Sequence, residues 1–110
     1  MLGSPGGPRL IHPTAIVHRA ARLATDVEVG PYSVIGEHVE IAEGTTIGGA
    51  AMIHGHIKIA DHVHVSAGTL ISRSLPKPGT YTGIYPFDEH EAWKRSAVQL
   101  RRLAKRKKDG

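Results

Sequence analysis

The sequence predicts an all-β solenoid closed by one α-helix, on three observations. A branched apolar residue recurs at every sixth position without a miss: Ile11, Val17, Leu23, Val29, Ile35, Ile41, Ile47, Ile53, Ile59, Val65 and Ile71. The residue two before each anchor is mostly small or β-branched, as at Ala15, Val27, Ser33, Thr45, Val63 and Thr69. The two positions after each anchor favour Gly, Ala, Pro and Ser, as in Gly30-Pro31 and Gly48-Gly49. A fixed internal period sets the architecture that every other residue must fit.

Side chains in a strand alternate between faces, so each anchor and the residue two before it point the same way, here inward. The Gly- and Pro-rich pair is a bend. Three strands and three bends make a triangular coil of eighteen residues, and coils stack through parallel ladders about 4.8 Å apart. The span 11–73 then holds about three and a half coils.

Taken in order, residues 1–10 read as a flexible leader or tag remnant, and 11–73 as the repeat. Residues 74–87 read as an exit loop, because Pro76, Pro78 and Gly79 do not suit a central strand. The helix is expected over 88–108: Asp88 and Glu91 fit a capping box, and no Pro or Gly occurs from Glu89 to Lys108. On it Trp93, Ala97, Leu100 and Ala104, with Leu103 beside them, form one apolar stripe. That stripe is expected to pack on the solenoid or on equivalent helices of other copies, with Lys94, Arg95, Arg101, Arg102 and Lys105 facing water.

A chain of 110 residues supports one domain. A solenoid this short has a thin core, so association is expected to contribute to its stability. The absence of cysteine excludes a disulfide framework and a thiolate metal site, and fits a cytoplasmic location. No apolar run reaches the ~20 residues of a membrane span. The net charge of +4 is concentrated: residues 1–87 carry six Lys or Arg and six Asp or Glu, whereas 88–110 carry eight and four. Clustered cations of this kind suit phosphates or an acidic protein, but no nucleic-acid motif or aromatic interleaving accompanies them, and no nucleic acid is expected as a partner.

Residues eighteen apart share a column on one side of the prism. One side reads Ile16, Tyr32, Val34, Ala50, Met52 and Leu70, an exposed apolar surface of the kind that marks an interface. The other two sides are polar. One carries Arg22, His38, Glu40, His56 and Lys58, and the other Glu28, Thr46, His62 and His64. One apolar flank and two wet ones suggest identical prisms packed about an axis. A helix folded back onto the apolar side of a monomer is the alternative.

The stretch IHPTAIVHRAARLATDVEVGPYSVIGEHVEIAEGTTIG, over residues 11–46 and a little beyond, resembles the first coils of the bacterial UDP-N-acetylglucosamine O-acyltransferases of lipid A synthesis. Residues 47–108, with I-G-G-A, Gly55-His56, the Pro76-to-Tyr81 loop, Trp93 before two basic residues and the closing helix, resemble the carboxyl end of the UDP-3-O-acylglucosamine N-acyltransferases. The resemblance implies left-handed coils and a homotrimer. Both families are far longer, so the chain reads as a chimera or deletion product joined in frame near Thr46 to Gly49, or as a natural short protein.

In these families the acyl group passes from acyl carrier protein to a UDP-sugar, with a histidine between subunits as general base, a role that suits an imidazole near neutral pH. That histidine lies in an A-H-D or A-H-N motif, which this sequence lacks. The resemblance therefore implies a trimer that is catalytically silent. The alternatives are an active N-acyltransferase-like enzyme using another inter-subunit histidine, and a trimerisation scaffold whose basic tail binds an acidic partner. Candidate histidines are His56, placed by the resemblance along the donor and acyl-chain cleft, and His62 and His64, which share one side. The signature of trimeric zinc carbonic anhydrases is absent, and neither a metal nor another cofactor is expected.

Overall fold

In the computed structural model, which describes residues 10–83 and 87–109, each hexad forms a short strand and a bend. The strands are β1 (Leu10–Ile11), β2 (Ile16–Val17), β3 (Arg22–Leu23), β4 (Glu28–Val29), β5 (Val34–Ile35), β6 (Glu40–Ile41), β7 (Thr46–Ile47), β8 (Met52–Ile53), β9 (Lys58–Ile59), β10 (Val63–Val65), β11 (Leu70–Ile71) and β12 (Gly79–Tyr81), followed by α1 (His90–Asp109). They make three parallel sheets, one per side of the prism: β1-β4-β7-β10-β12, β2-β5-β8-β11 and β3-β6-β9. Cα partners lie eighteen residues apart, as in Ile16 with Val34 and Val34 with Met52. The fold is a left-handed parallel β-helix with a carboxyl-terminal helix.

The anchors and the residues two before them fill the interior. Val27, Val29, Ile35, Val39, Ile41, Ile47, Ile53, Ile57, Ile59, Val63 and Val65 are all buried. Three interior positions are hydroxyls, and the bends use them. Ser33 Oγ donates to the Gly48 carbonyl at 2.8 Å and accepts from the Ala51 amide at 3.3 Å. Thr45 Oγ1 donates to the Ala60 carbonyl at 3.0 Å and accepts from the Val63 amide at 3.2 Å. A buried hydroxyl left without partners would cost about 1–3 kcal/mol, and among the described residues no buried side-chain polar atom lacks one.

Two features differ from the sequence expectation. The repeat does not stop at Ile71. Leu75 pairs with Ile59 and is buried, and Tyr81 pairs with Val65, so both occupy anchor positions. Five strands in the first sheet give four turns rather than three and a half. The last coil is two residues shorter: Ile71 stacks on Ile53 at eighteen, but Leu75 on Ile59 at sixteen. That contraction hid both residues from the six-residue series. Pro76 and Pro78 are tolerated because they lie between Leu75 and β12, outside any strand, where no ladder donor is lost.

The helix cap also shifts by one residue. Asp88 Oδ1 accepts from the Glu89 amide at 2.7 Å, whereas Glu89 Oε1 accepts from Ala92 at 3.3 Å, three residues on, where an N-cap side chain reaches. Glu91 instead pairs with Lys94 at 3.6 Å. Of the expected leader, 1–9 lie outside the described residues and Leu10 opens β1; residues 84–86 of the expected exit loop also lie outside them. The apolar stripe of α1 is not buried on the solenoid: Trp93 is 39 % exposed, Leu100 52 % and Leu103 57 %.

Coil spacing leaves no room at certain bends. A Cβ on Gly48 would stand 2.6 Å from the Ala67 amide nitrogen and 2.9 Å from the Val65 carbonyl, both backbone of the next coil. A Cβ on Gly68 would meet nothing within 4 Å, and only its φ of +74° disfavours a side chain. Gly48→Ala should therefore destabilise by about 1–3 kcal/mol through overpacking, and Gly68→Ala by about 1–2 kcal/mol through left-handed strain alone. Denaturant midpoints of the two variants test the order; Gly68→Ala as the more damaging change would contradict the stacking argument.

Candidate functional site

The bends place the side chains that carry chemistry. Beyond the first coil, the second residue of each bend takes positive φ: Tyr32 61°, His38 56°, Gly44 74°, Ala50 55°, His56 63°, His62 53° and Gly68 74°. From the third coil on its amide bonds the coil before it, as from Ala50 to the Pro31 carbonyl and from His56 to the Glu37 carbonyl, both at 2.8 Å. In the first coil side chains take the carbonyl's place. Thr14 Oγ1 accepts from Tyr32 at 3.0 Å, and Asp26 Oδ1 from Gly44 at 2.9 Å.

At the edge between the second and third sheets this stacking builds a cluster of titratable groups. His56 Nε2 lies 3.1 Å from Glu37 Oε2, and His18 Nε2 lies 3.9 Å from Glu37 Oε1. The His38 and His56 rings stand 5.2 Å apart, tilted by 31°. One carboxylate thus orients His56 and faces His18, with a second imidazole beside it. The cluster is solvent-exposed and borders the apolar side.

His62 occupies a different edge. Its Nδ1 is 2.9 Å from Asp61 Oδ2, and its ring lies over Gly44, where a Cβ would come within 2.6 Å of His62 Cδ2. The hydrogen bond to Asp61 raises the His62 pKa, against a smaller desolvation effect, and the nearby Asp61, Glu43 and Asp26 charges add to the rise. The same bond lowers the Asp61 pKa. His64 sits on the first sheet, its Nδ1 2.6 Å from Thr46 Oγ1. The three candidate histidines are therefore not brought into one site: His56 lies on one edge, His62 on another and His64 on a sheet face.

Glu37 and His18 were missed by the sequence because only residues eighteen apart were grouped. Glu37 and His56 are nineteen apart, since a bend residue reaches the next position in the coil above. Asp61 adjoins His62 in the sequence, and that adjacency was the available signal. Among the described residues no group of three or more His, Asp or Glu is arranged to hold a metal ion.

The solenoid with its hexad period is the architecture of the hexapeptide-repeat acyltransferases. Among solved structures, a mutant of GDP-perosamine N-acetyl transferase from Caulobacter crescentus, in complex with CoA and GDP-perosamine, matches with a TM-score of 0.52 and 20 % identity, covering 69 % of this chain and 53 % of that one; this likeness shows the fold alone. In sequence the chain is similar to UDP-3-O-acylglucosamine N-acyltransferases. It is 51 % identical over 43 residues to that of Janthinobacterium sp. (39 % of this chain, 12 % of the relative), and 42 % identical over 88 residues to that of Bordetella avium (74 % of this chain, 24 % of the relative). The chain therefore spans a quarter or less of the length of these relatives. The longer match covers more of the chain than 47–108 supplies, so the likeness to N-acyltransferases continues into the amino-terminal coils. No protein-family model matches.

The Asp61–His62 pair has a defined pH window. The raised His62 pKa makes its contribution complete below the ordinary imidazole pKa and lost as pH rises through the raised value. The lowered Asp61 pKa makes its contribution complete above the ordinary carboxylate pKa and lost as pH falls through the lowered value. The ion pair thus spans the mildly acidic to neutral range. In an NMR titration His62 should turn above the ordinary imidazole midpoint, and Asp61→Asn should bring it back down. A His62 midpoint unmoved by Asp61→Asn would remove Asp61 as the cause.

Proposed function

We propose that the chain is a homotrimeric acyltransferase-type β-helix, shortened relative to the lipid A N-acyltransferases it resembles, with no appreciable turnover of its own. The trimer interface is the second sheet's outer face, where Ile16, Val34, Met52 and Leu70 stack as direct strand partners, with Tyr32 and Ala50 on the adjoining bends. The supporting observation is their exposure: Ile16 64 %, Met52 46 %, Leu70 54 % and Tyr32 72 %. The third sheet instead presents Arg22, Glu40 and Lys58 outward. Three copies meeting through the apolar face would set the His18–Glu37–His56 edge beside a neighbouring subunit.

In this reading the substrates of the longer relatives, an acyl donor on acyl carrier protein and a UDP-glucosamine derivative, approach the inter-subunit cleft without being turned over. A second reading is favoured by one contact. The 3.1 Å approach of Glu37 to His56 orients an exposed imidazole as a general base requires, so His56 would take the nucleophile's proton in an active enzyme.

Sedimentation and an acyl-transfer assay test these readings separately. Burying Met52 is worth roughly 1.5–3 kcal/mol per subunit, and an unpaired buried charge costs several kcal/mol. Met52→Glu should therefore give monomer or aggregate, and Glu28→Lys on the first sheet should leave the trimer intact. A trimeric, equally heat-resistant Met52→Glu protein would mean that the subunits meet elsewhere. Incubation with hydroxyacyl carrier protein and a UDP-glucosamine acceptor should give no product above background. Robust turnover abolished by His56→Ala would establish the second reading instead.

A further inference from the structure

We infer that α1 is a peripheral docking element for an anionic lipid surface. At 3.6 residues per turn, Trp93, Ala97, Leu100, Leu103 and Ala104 share one side of the helix. Trp93, Leu100 and Leu103 on that side are exposed, and α1 makes no substantial contact with any strand. Arg101, Lys94 and Lys105 flank the apolar side along one edge, and Arg102 and Arg95 lie on the opposite, polar side, where Val98 is the apolar exception. The acidic residue of the first turn, Glu91, is already engaged by Lys94 at 3.6 Å.

A helix with a strong apolar side, low overall hydrophobicity, Trp and Leu on one side and Lys and Arg on the other lies in the plane of a bilayer interface. It is not a membrane span, since no helix among the described residues is long and apolar enough to cross one. Two other occupants are less well matched. Packing α1 on copies of itself would crowd the Lys94, Arg101 and Lys105 edge of each copy against its neighbour, with Glu91 already paired to Lys94. The solenoid's apolar face does not receive α1 either. A surface that accepts apolar side chains and offers anions beside them is a bilayer containing acidic lipids, into which Trp93, Leu100 and Leu103 would insert while the cations stay at the headgroups.

The test uses the full chain and vesicles of phosphatidylcholine with and without phosphatidylglycerol. Trp93 is the only tryptophan, so its emission reports on α1 directly. Co-sedimentation is expected with the anionic vesicles alone, with a blue shift of Trp93 emission and loss of binding as salt is raised. The double variant Arg101→Glu and Lys105→Glu should partition roughly tenfold or more weakly, and Leu100→Glu should abolish the blue shift. Both variants should keep the parent's sedimenting mass and circular dichroism, which shows that the fold is intact. The inference fails if vesicles of both kinds bind equally or neither binds, or if binding leaves Trp93 emission unchanged. It also fails if emission is already blue-shifted in the free protein and moves red in Leu100→Glu, which would mean that copies of the chain cover the stripe. Binding to soluble polyglutamate as tight as to anionic vesicles would equally overturn it and point to an acidic protein.

Discussion

The backbone ladder between one coil and the next is the constraint on which the rest of the structure depends. Strands of two or three residues have no stability alone, and inside the stack each is held by the strand of the coil before it and the strand of the coil after it. The ladder fixes the spacing of coils, and that spacing decides which residues the bends can take. Gly30, Gly36 and Gly48 lie where a Cβ would come within 3 Å of the backbone above. The ladder also commits inward and outward positions without exception, because a slip of one residue would turn every anchor to solvent.

The two ends of the solenoid are finished differently. At the carboxyl end the chain closes over the last coil: the Gly83 amide donates to Thr69 Oγ1 at 3.2 Å, and the Ser66 and Thr82 hydroxyls lie 2.6 Å apart. At the amino end β1, β2 and β3 each have one strand neighbour among the described residues. Ile11, Val17 and Leu23 are there only partly buried, whereas their equivalents one coil up, Val29, Ile35 and Ile41, are 1–3 % exposed. Among the described residues the first coil is thus the weakest layer of the core.

The hexad series made most of this architecture legible, because an anchor repeated eleven times in register admits few other folds. Legibility failed where the register changed. Leu75 and Tyr81 continue the interior, but a two-residue contraction after Ile71 moves them off the count. The helix was visible from its stripe and the lack of Pro and Gly, whereas its cap was misplaced by one residue because Asp88 and Glu89 both offer a carboxylate near the start. The apolar face was readable as a column of side chains. Its stacking is now explicit in the partners Ile16, Val34, Met52 and Leu70, while what covers it belongs to association. The histidine edge was only half readable, since His38 and His56 follow the eighteen-residue rule and Glu37 and His18 do not.

Positive φ at a non-glycine residue often marks a functional site, because such strain persists only where the surroundings enforce it. Here the enforcement comes from the corner. Tyr32 at 61° and Ala50 at 55° adopt the same conformation as His38, His56 and His62, yet an alanine offers no chemistry. The strain at His56 and His62 therefore follows from turning the chain under the ladder, which aims the corner amide at a carbonyl of the coil before it. What separates His56 from the other corners is its neighbour, since Glu37 and His18 reach the same edge from the two coils before it. What separates His62 is Asp61 beside it and the bare Gly44 beneath its ring. Chemical distinctiveness on this solenoid thus lies in which side chains the stack brings together, and backbone strain alone does not identify a site.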